Sequence, residues 1–278
     1  MLNFLKKFYH WSNTWVGTIV IVLVLVMFFV QSFIIPTGSM KRTLLIGDML
    51  FVKKFDYGIP IPHLPFLEVP ILPDMFGTGQ LIEGSKPKRE DIVVFRYPKN
   101  PKQHFVKRCF ATPNDEILFQ DKKMYIRMSE GDEYMKSNYP NKIHVINAKL
   151  WVLNPYMDKY KGINYDSKED TFNIALAHLS KNDFVMQPVI TNVGNAFYYK
   201  VKEKEYFMVG DNRDHSYDSR FWGAVPYKYI VGKPWFVWMS VNSSDFSIRW
   251  NRIGKGINTL QNNERYIDKT IDLGSGRT

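Results

Sequence analysis

Residues 15–40 read WVGTIVIVLVLVMFFVQSFIIPTGSM. From Trp15 to Ile35 the run carries no charge. A helix rises ~1.5 Å per residue, so a run of this length crosses a hydrocarbon core of ~30 Å. The stretch therefore predicts one transmembrane helix over 15–35. Trp11 and Trp15 suit a membrane interface, and Lys6 and Lys7 precede the run with no acid among them. The positive-inside rule then places residues 1–14 in the cytoplasm, although Lys41, Arg42, Lys53 and Lys54 follow on the other side. Thr37-Gly38-Ser39 is also a small-x-small triplet, which raises the alternative of a cleaved signal peptide. The run is long for a signal core, so a retained anchor is the preferred reading. No later stretch is apolar and long enough to span again.

The end of the quoted stretch, Pro36-Thr37-Gly38-Ser39-Met40, is the first place to look for chemistry. A serine just past a span sits where water meets lipid. It becomes a nucleophile only if a base removes its proton and donors hold the resulting oxyanion. Gly38 permits close backbone approach, and Thr37 adds a hydroxyl. Read alone, the segment is a turn.

Composition narrows the classes. The chain has 278 residues, 45% hydrophobic and 23% charged, which describes one large or two ordinary globular domains. Aromatics at 15% suit a β-rich body that touches lipid or extended peptide. The net charge of +10 reads as attraction to anionic headgroups. Its Lys and Arg are dispersed and no nucleic-acid motif occurs, so nucleic acid is not an expected partner. Cys109 is the only cysteine, which excludes an intrachain disulfide.

Further on, strands are predicted at Met49–Val52, Asp91–Tyr97, His104–Cys109, Asp115–Phe119, Tyr206–Val209 and Pro234–Val241. Residues 59–88 are rich in Pro and Gly and read as an extended insertion, not a helix or central strand. Residues 121–205 are polar and turn-rich. They read as a variable subdomain with one short helix near Thr171–Leu179. The domain reading is then a catalytic body over 36–120 and 206–254, interrupted by that subdomain. A tail follows over 255–278, frayed from Ile267 to Thr278.

Two more sites can carry chemistry. Lys107 lies on a strand between apolar neighbours. Burial there would favour the neutral amine, which can take a proton from serine, whereas a lone strand lysine ordinarily faces solvent. Gly210–Arg220, GDNRDHSYDSR, is a dense polar loop between apolar strands. It is either a solvated tip or a fixed hydrogen-bond network.

Together these stretches resemble bacterial type I signal peptidase. The strings are IPTGSMKRTLLIGDMLFVKKFDYG (35–58), REDIVVFRYPKNPKQHFVKR (89–108), VGDNRDHSYDSRFWGAVP (209–226) and, more weakly, IRWNRIG (248–254). The resemblance implies a mainly β, mostly antiparallel catalytic body on the outer face of the cytoplasmic membrane, held by a single N-terminal span. It implies Ser39 as nucleophile and Lys107 as general base, with no catalytic histidine, metal or cofactor. The Ser39 N–H and the Thr37 hydroxyl would form the oxyanion hole. Ser216 would orient Lys107, and Asp211, Asn212, Arg213, Asp214, Asp218 and Arg220 would support the dyad.

The implied substrate is a preprotein cut after small residues at −1 and −3. The resemblance implies pockets lined by Phe33, Ile35, Met40, Leu44, Leu50, Val94, Phe105 and Val106, for each of which core packing is the competing reading. Partners would be signal peptides and membrane lipid, with the export machinery nearby. The chain departs from the family pattern at Thr37, Lys41-Arg42, Glu90, His215 and Ala111–Asp115, in the last of which a glycine is usual. Two rival readings remain. One is a non-enzymatic membrane scaffold. The other is a hydrolase using His104 or His215. The six histidines show no HExxH or comparable metal-ligand spacing.

Overall fold

The computed structural model describes residues 2–63, 68–165 and 184–266. It opens with two helices, α1 (Leu2–Ser12) and α2 (Trp15–Phe28). Thr14 caps the second, its hydroxyl accepting the Gly17 N–H at 3.1 Å. The chain bends sharply there, and a Cβ on Gly17 would lie 2.0 Å from the Trp11 carbonyl oxygen. No single described helix is long and apolar enough to cross a membrane. The pair Asn3–Ser12 and Trp15–Leu25, bent by 91°, meets the length and composition together.

The uncharged run is therefore not one helix from Trp15 to Ile35. Its last part, β1 (Val30–Ile34), is a strand paired antiparallel with β2 (Asp48–Lys53), Val30 opposite Lys53 and Ile34 opposite Met49. Apolar β-branched and aromatic residues serve a strand as well as a span. Here β2 offers a partner for the backbone groups, and hydropathy does not register that.

Beyond β2, β3 (Gly58–Pro60) and β4 (Gln80–Glu83) form a two-stranded sheet within the insertion. Next come β5 (Ile92–Tyr97), β6 (Asn100–Ala111), β7 (Glu116–Gln120), β8 (Lys123–Arg127), the helix α3 (Asp132–Asn138), β9 (Ile143–Ile146) and β10 (Lys149–Leu153). After them come β11 (Gln187–Thr191), β12 (Gly194–Lys200), β13 (Glu205–Val209), α4 (Ser219–Trp222), β14 (Val225–Pro226), β15 (Ile230–Ser240) and α5 (Ile257–Asn262). A seven-stranded sheet runs β1-β2-β15-β5-β6-β13-β14, and a six-stranded one runs β11-β12-β7-β8-β10-β9. Every pairing between these strands is antiparallel.

The polar stretch 121–205 thus supplies most of a real sheet, which begins with β7 before residue 121. The helix expected near Thr171–Leu179 lies outside the described residues, as does Ile267–Thr278. One apolar core joins the two sheets. Phe95, Phe207 and Val209 of the larger pack in the same cluster as Phe119, Ile126 and Phe197 of the smaller. A second cluster closes the other side of the large sheet, where Ile257 and Leu260 of α5 meet Ile35, Met40, Leu44 and Leu50. The described part of the expected tail, residues 255–266, is accordingly built into the core at α5.

Candidate active site

Ser39 lies in a short 3₁₀ turn, Gly38–Met40, just after β1. The turn is clamped at both ends. Ile35 N–H donates to the Asp48 carbonyl at 2.8 Å, and Leu44 N–H to that of Met40 at 2.7 Å. Ser39 and Met40 are buried while Thr37 is exposed.

Lys107 comes from β6, where register sets it opposite Val93 of β5. It is 4% exposed, and its Nζ is hydrogen-bonded to Ser39 Oγ. Burial lowers its pKa from the ordinary 10.5 to about 8. Asp218 and Asp211 pull the value up, and Arg220 pulls it down. A lysine near 8 is substantially neutral in mildly alkaline water, so it can accept the proton of the hydroxyl it touches.

The Gly210–Arg220 loop fixes both groups. A Cβ on Gly210 would lie 2.5 Å from the Ser39 carbonyl oxygen and 2.3 Å from Ser216 Oγ, so only glycine fits there. Asn212 N–H donates to the Ser39 carbonyl at 3.1 Å, and its side-chain amide to the Gly38 carbonyl at 3.1 Å. Asp211 takes both prongs of Arg108, at 2.8 and 2.7 Å, and the Thr43 hydroxyl at 2.6 Å. Burial alone would push the Asp211 carboxyl up, but Arg108 and these hydrogen bonds hold it below the usual carboxylate range. Asp218 is held down in the same way by Arg220, both of whose prongs bond it at 2.9 Å, and it accepts the Gly210 N–H at 3.0 Å.

Two side chains of the loop reach toward the second sheet. Arg213 turns toward the second sheet, donating to Met124 Sδ at 3.3 Å and lying over the Phe110 ring. Asp214 faces Lys122 at 3.5 Å. The hydrogen bond expected from Ser216 to Lys107 is not formed, and among the described residues Ser216 Oγ has no well-aligned partner. Its hydroxyl still helps hold the Asp218 pKa down.

The residues implied to line pockets divide by exposure. Ile35, Met40, Leu44, Leu50 and Val94 are buried core, whereas Phe33, Phe105 and Val106 are partly exposed. His104 packs against Phe33 with ring centroids 4.9 Å apart, and burial lowers its pKa to about 4. No hydrogen bond joins Ser39 to a histidine among the described residues; its hydroxyl meets Lys107.

Sequence reading missed a second brace. Asp48 accepts both prongs of Arg252, at 3.1 and 2.7 Å, and the Ser240 hydroxyl at 2.6 Å, while Arg252 also donates to the Thr43 carbonyl at 3.1 Å. It ties the loop after Ser39 to the region before α5. Three of the departures from the family pattern fall at left-handed positions, Arg42 with φ 76°, Glu90 with φ 77° and Asn114 with φ 70°. Asn adopts this conformation readily, and Glu does so only when held. Glu90 is held by Tyr160 at 2.7 Å and Lys159 on its carboxylate, and by Arg108 on its carbonyl at 2.9 Å.

A buried serine bonded to a lysine of lowered pKa, on antiparallel sheets, is an arrangement that suits a serine peptidase with a lysine base. The family model "Signal peptidase, peptidase S26" matches residues 8–239. The signal peptidase I of Helicobacter pylori is 42% identical, over 94% of this chain and 97% of its own length. That of Pseudomonas fluorescens is 32% identical, over 83% and 72%. A solved signal peptidase I from Enterococcus faecalis V583 aligns with 54% of this chain and 97% of its own, at 23% identity and a TM-score of 0.28. The chain belongs to peptidase family S26, the signal peptidases, and within it to the signal peptidase I type.

Proposed function

We propose that this chain removes N-terminal signal peptides from exported preproteins, with Ser39 as nucleophile and Lys107 as its base. The observation that carries the reading is the contact between the buried Lys107 amine and the Ser39 hydroxyl. The neutral amine takes the Ser39 proton as Oγ attacks the carbonyl carbon of the scissile bond. The resulting oxyanion is held by the Ser39 N–H and the Thr37 hydroxyl, which is exposed and makes no capping bond within the chain. As the tetrahedral species collapses, the protonated Lys107 gives its proton to the leaving amine. Water, deprotonated by the same lysine, then releases the acyl group.

Asp211, Asn212, Asp218 and Arg220 serve as positioning residues. Ser216, whose hydroxyl lies beside the Asp218 carboxylate, joins them by rotating toward Lys107. The partly exposed Phe33, Phe105 and Val106 form the walls that admit only small side chains at −1 and −3, over a floor of the buried residues. A tight apolar wall rejects larger groups by overlap. The helices α1 and α2 anchor the body to the cytoplasmic membrane, with Lys6 and Lys7 on the inner side and the catalytic sheets outside, near the export machinery.

The test is cleavage of a preprotein bearing an Ala-x-Ala site by the detergent-solubilised parent, Ser39→Ala and Lys107→Met. Cleavage at that site by the parent alone is the expected result. Undiminished cleavage by Lys107→Met, or its loss in His104→Gln or His215→Gln variants that still fold, would overturn the dyad.

A further inference from the structure

The insertion between β3 and β4 has an exposed apolar surface that the catalytic mechanism does not use. Val69, Ile71, Leu72, Met75, Phe76 and Ile82 all face outward, with Met75 82% and Phe76 76% exposed. Side chains this apolar, clustered and uncovered on one short segment are unusual for a surface that meets only water. The single charge between Val69 and Ile82 is Asp74. Its carboxylate, though exposed, turns onto the loop's own backbone, accepting the Thr78 and Gly79 N–H groups at 3.1 and 3.0 Å. The one charge thus satisfies backbone donors, as a loop tip needs where water is scarce. The side chains also enclose an apolar hollow of about 120 Å³ between Ile61, Leu72, Met75 and Phe76.

The position of the insertion argues for one occupant. Register sets Val30 of β1 and Lys233 of β15 opposite Lys53 of β2, so these three residues mark one end of the large sheet. That is the end at which α2 runs into β1, and Lys54 N–H donates to the Phe29 carbonyl there at 2.9 Å. Both limbs of the insertion are rooted at this end. The outgoing limb leaves just after Lys54. The returning limb is pinned by Gln80, whose amide donates to the Ile230 carbonyl at 3.2 Å, and by Gly79, where a Cβ would lie 2.2 Å from the Lys228 carbonyl oxygen. Lys53, Lys86 and Lys88 flank the roots at the surface, the first two facing Asp56 and Glu83, and give basic side chains within reach of anionic headgroups.

We propose that the Val69–Ile82 loop dips into the outer leaflet as a second membrane contact, alongside the N-terminal helices. The proposal rests on the reading that α2 lies in the bilayer. With the helix as one point of attachment and the loop as another, the sheet cannot pivot about the helix, and Ser39 stays at a fixed height above the lipid.

The test uses the full chain in vesicles of phosphatidylethanolamine and phosphatidylglycerol. An environment-sensitive NBD label is placed on Phe76→Cys, Val22→Cys or Ile190→Cys in turn. Cys109 is fully buried and stays unlabelled. The expected result is loss of emission with nitroxide-bearing lipid and protection from aqueous iodide at positions 76 and 22, with the reverse at position 190. Iodide quenching at 76 with lipid quenching at 22 would overturn the proposal and leave the anchor intact. Protection at 76 from both quenchers would overturn it in favour of a second copy or another protein. Iodide quenching at both 22 and 76 would overturn the anchor reading, and the loop's role with it.

Discussion

Arg108 and Asp211 form a two-pronged ion pair, at 2.8 and 2.7 Å, from which water is excluded on every side. Each is the chain neighbour of a residue that shapes the site. Arg108 follows Lys107, and Asp211 follows the glycine that packs against Ser39. The pair thus locks β6 to the loop that holds the serine.

Removing one partner leaves the other charged and buried. Asp211→Asn is expected to cost about 3–5 kcal/mol of stability, seen as a lower Tm and denaturant midpoint. Replacing both at once, Arg108→Met with Asp211→Leu, is expected to recover most of that loss without restoring full activity. If the single variant melts with the parent, the pair does not brace the site.

On the proposed mechanism the Lys107 pKa, lowered to about 8 by burial, governs the pH profile. Only the neutral amine can accept the Ser39 proton. Activity should therefore rise with pH and level off above about 8, falling about tenfold per unit below that value. The check is kcat/KM on an Ala-x-Ala peptide from mildly acid to alkaline buffer. An acidic optimum would point to another base.

Two glycines near Ser39 should respond in opposite ways. At Gly38 a Cβ meets nothing closer than Ile46 Cδ1 at 3.9 Å, whereas at Gly210 it runs into the Ser39 carbonyl and the Ser216 hydroxyl. Gly38→Ala should keep the Tm of the parent and raise KM, because the added methyl points into space a substrate backbone would occupy. Gly210→Ala should lower kcat by about an order of magnitude or more, since displacement of the nucleophile by even ~1 Å is costly. Equal effects from both changes would refute this distinction.

Much of the site was legible because its chemistry is concentrated in short strings. Ser39, Lys107 and the 210–220 loop each read alone as ordinary surface features and stand out through the ordered resemblance of their strings to one family, while the strands at Met49–Val52 and Asp91–Tyr97 show their patterns locally. What escaped was set by pairing across the chain. Asp48 meets Arg252, and Arg108 meets Asp211, through contacts that no local window contains. The end of α2 was misjudged because hydropathy cannot distinguish Val30–Ile34 in lipid from the same residues beside β2. The second sheet was hidden because its strands are short and separated by polar turns. The resemblance counts Arg213 and Asp214 among the supports of the dyad, and the contacts their side chains make, with Met124, Phe110 and Lys122, lie on the second-sheet side, where no local window shows them.

The direct passage of α2 into β1 has a mechanical meaning. Phe29 is the only residue between the end of the helix and the first paired residue of the sheet, and its carbonyl is itself bonded to Lys54. With no slack at this joint, helix and sheet act as one lever with the nucleophile on its arm. On the proposed topology, a change in helix tilt, from a thicker bilayer or a crowded neighbour, would swing Ser39 along with it wherever the Val69–Ile82 contact is lost. Bilayer thickness then becomes a variable of the catalytic rate.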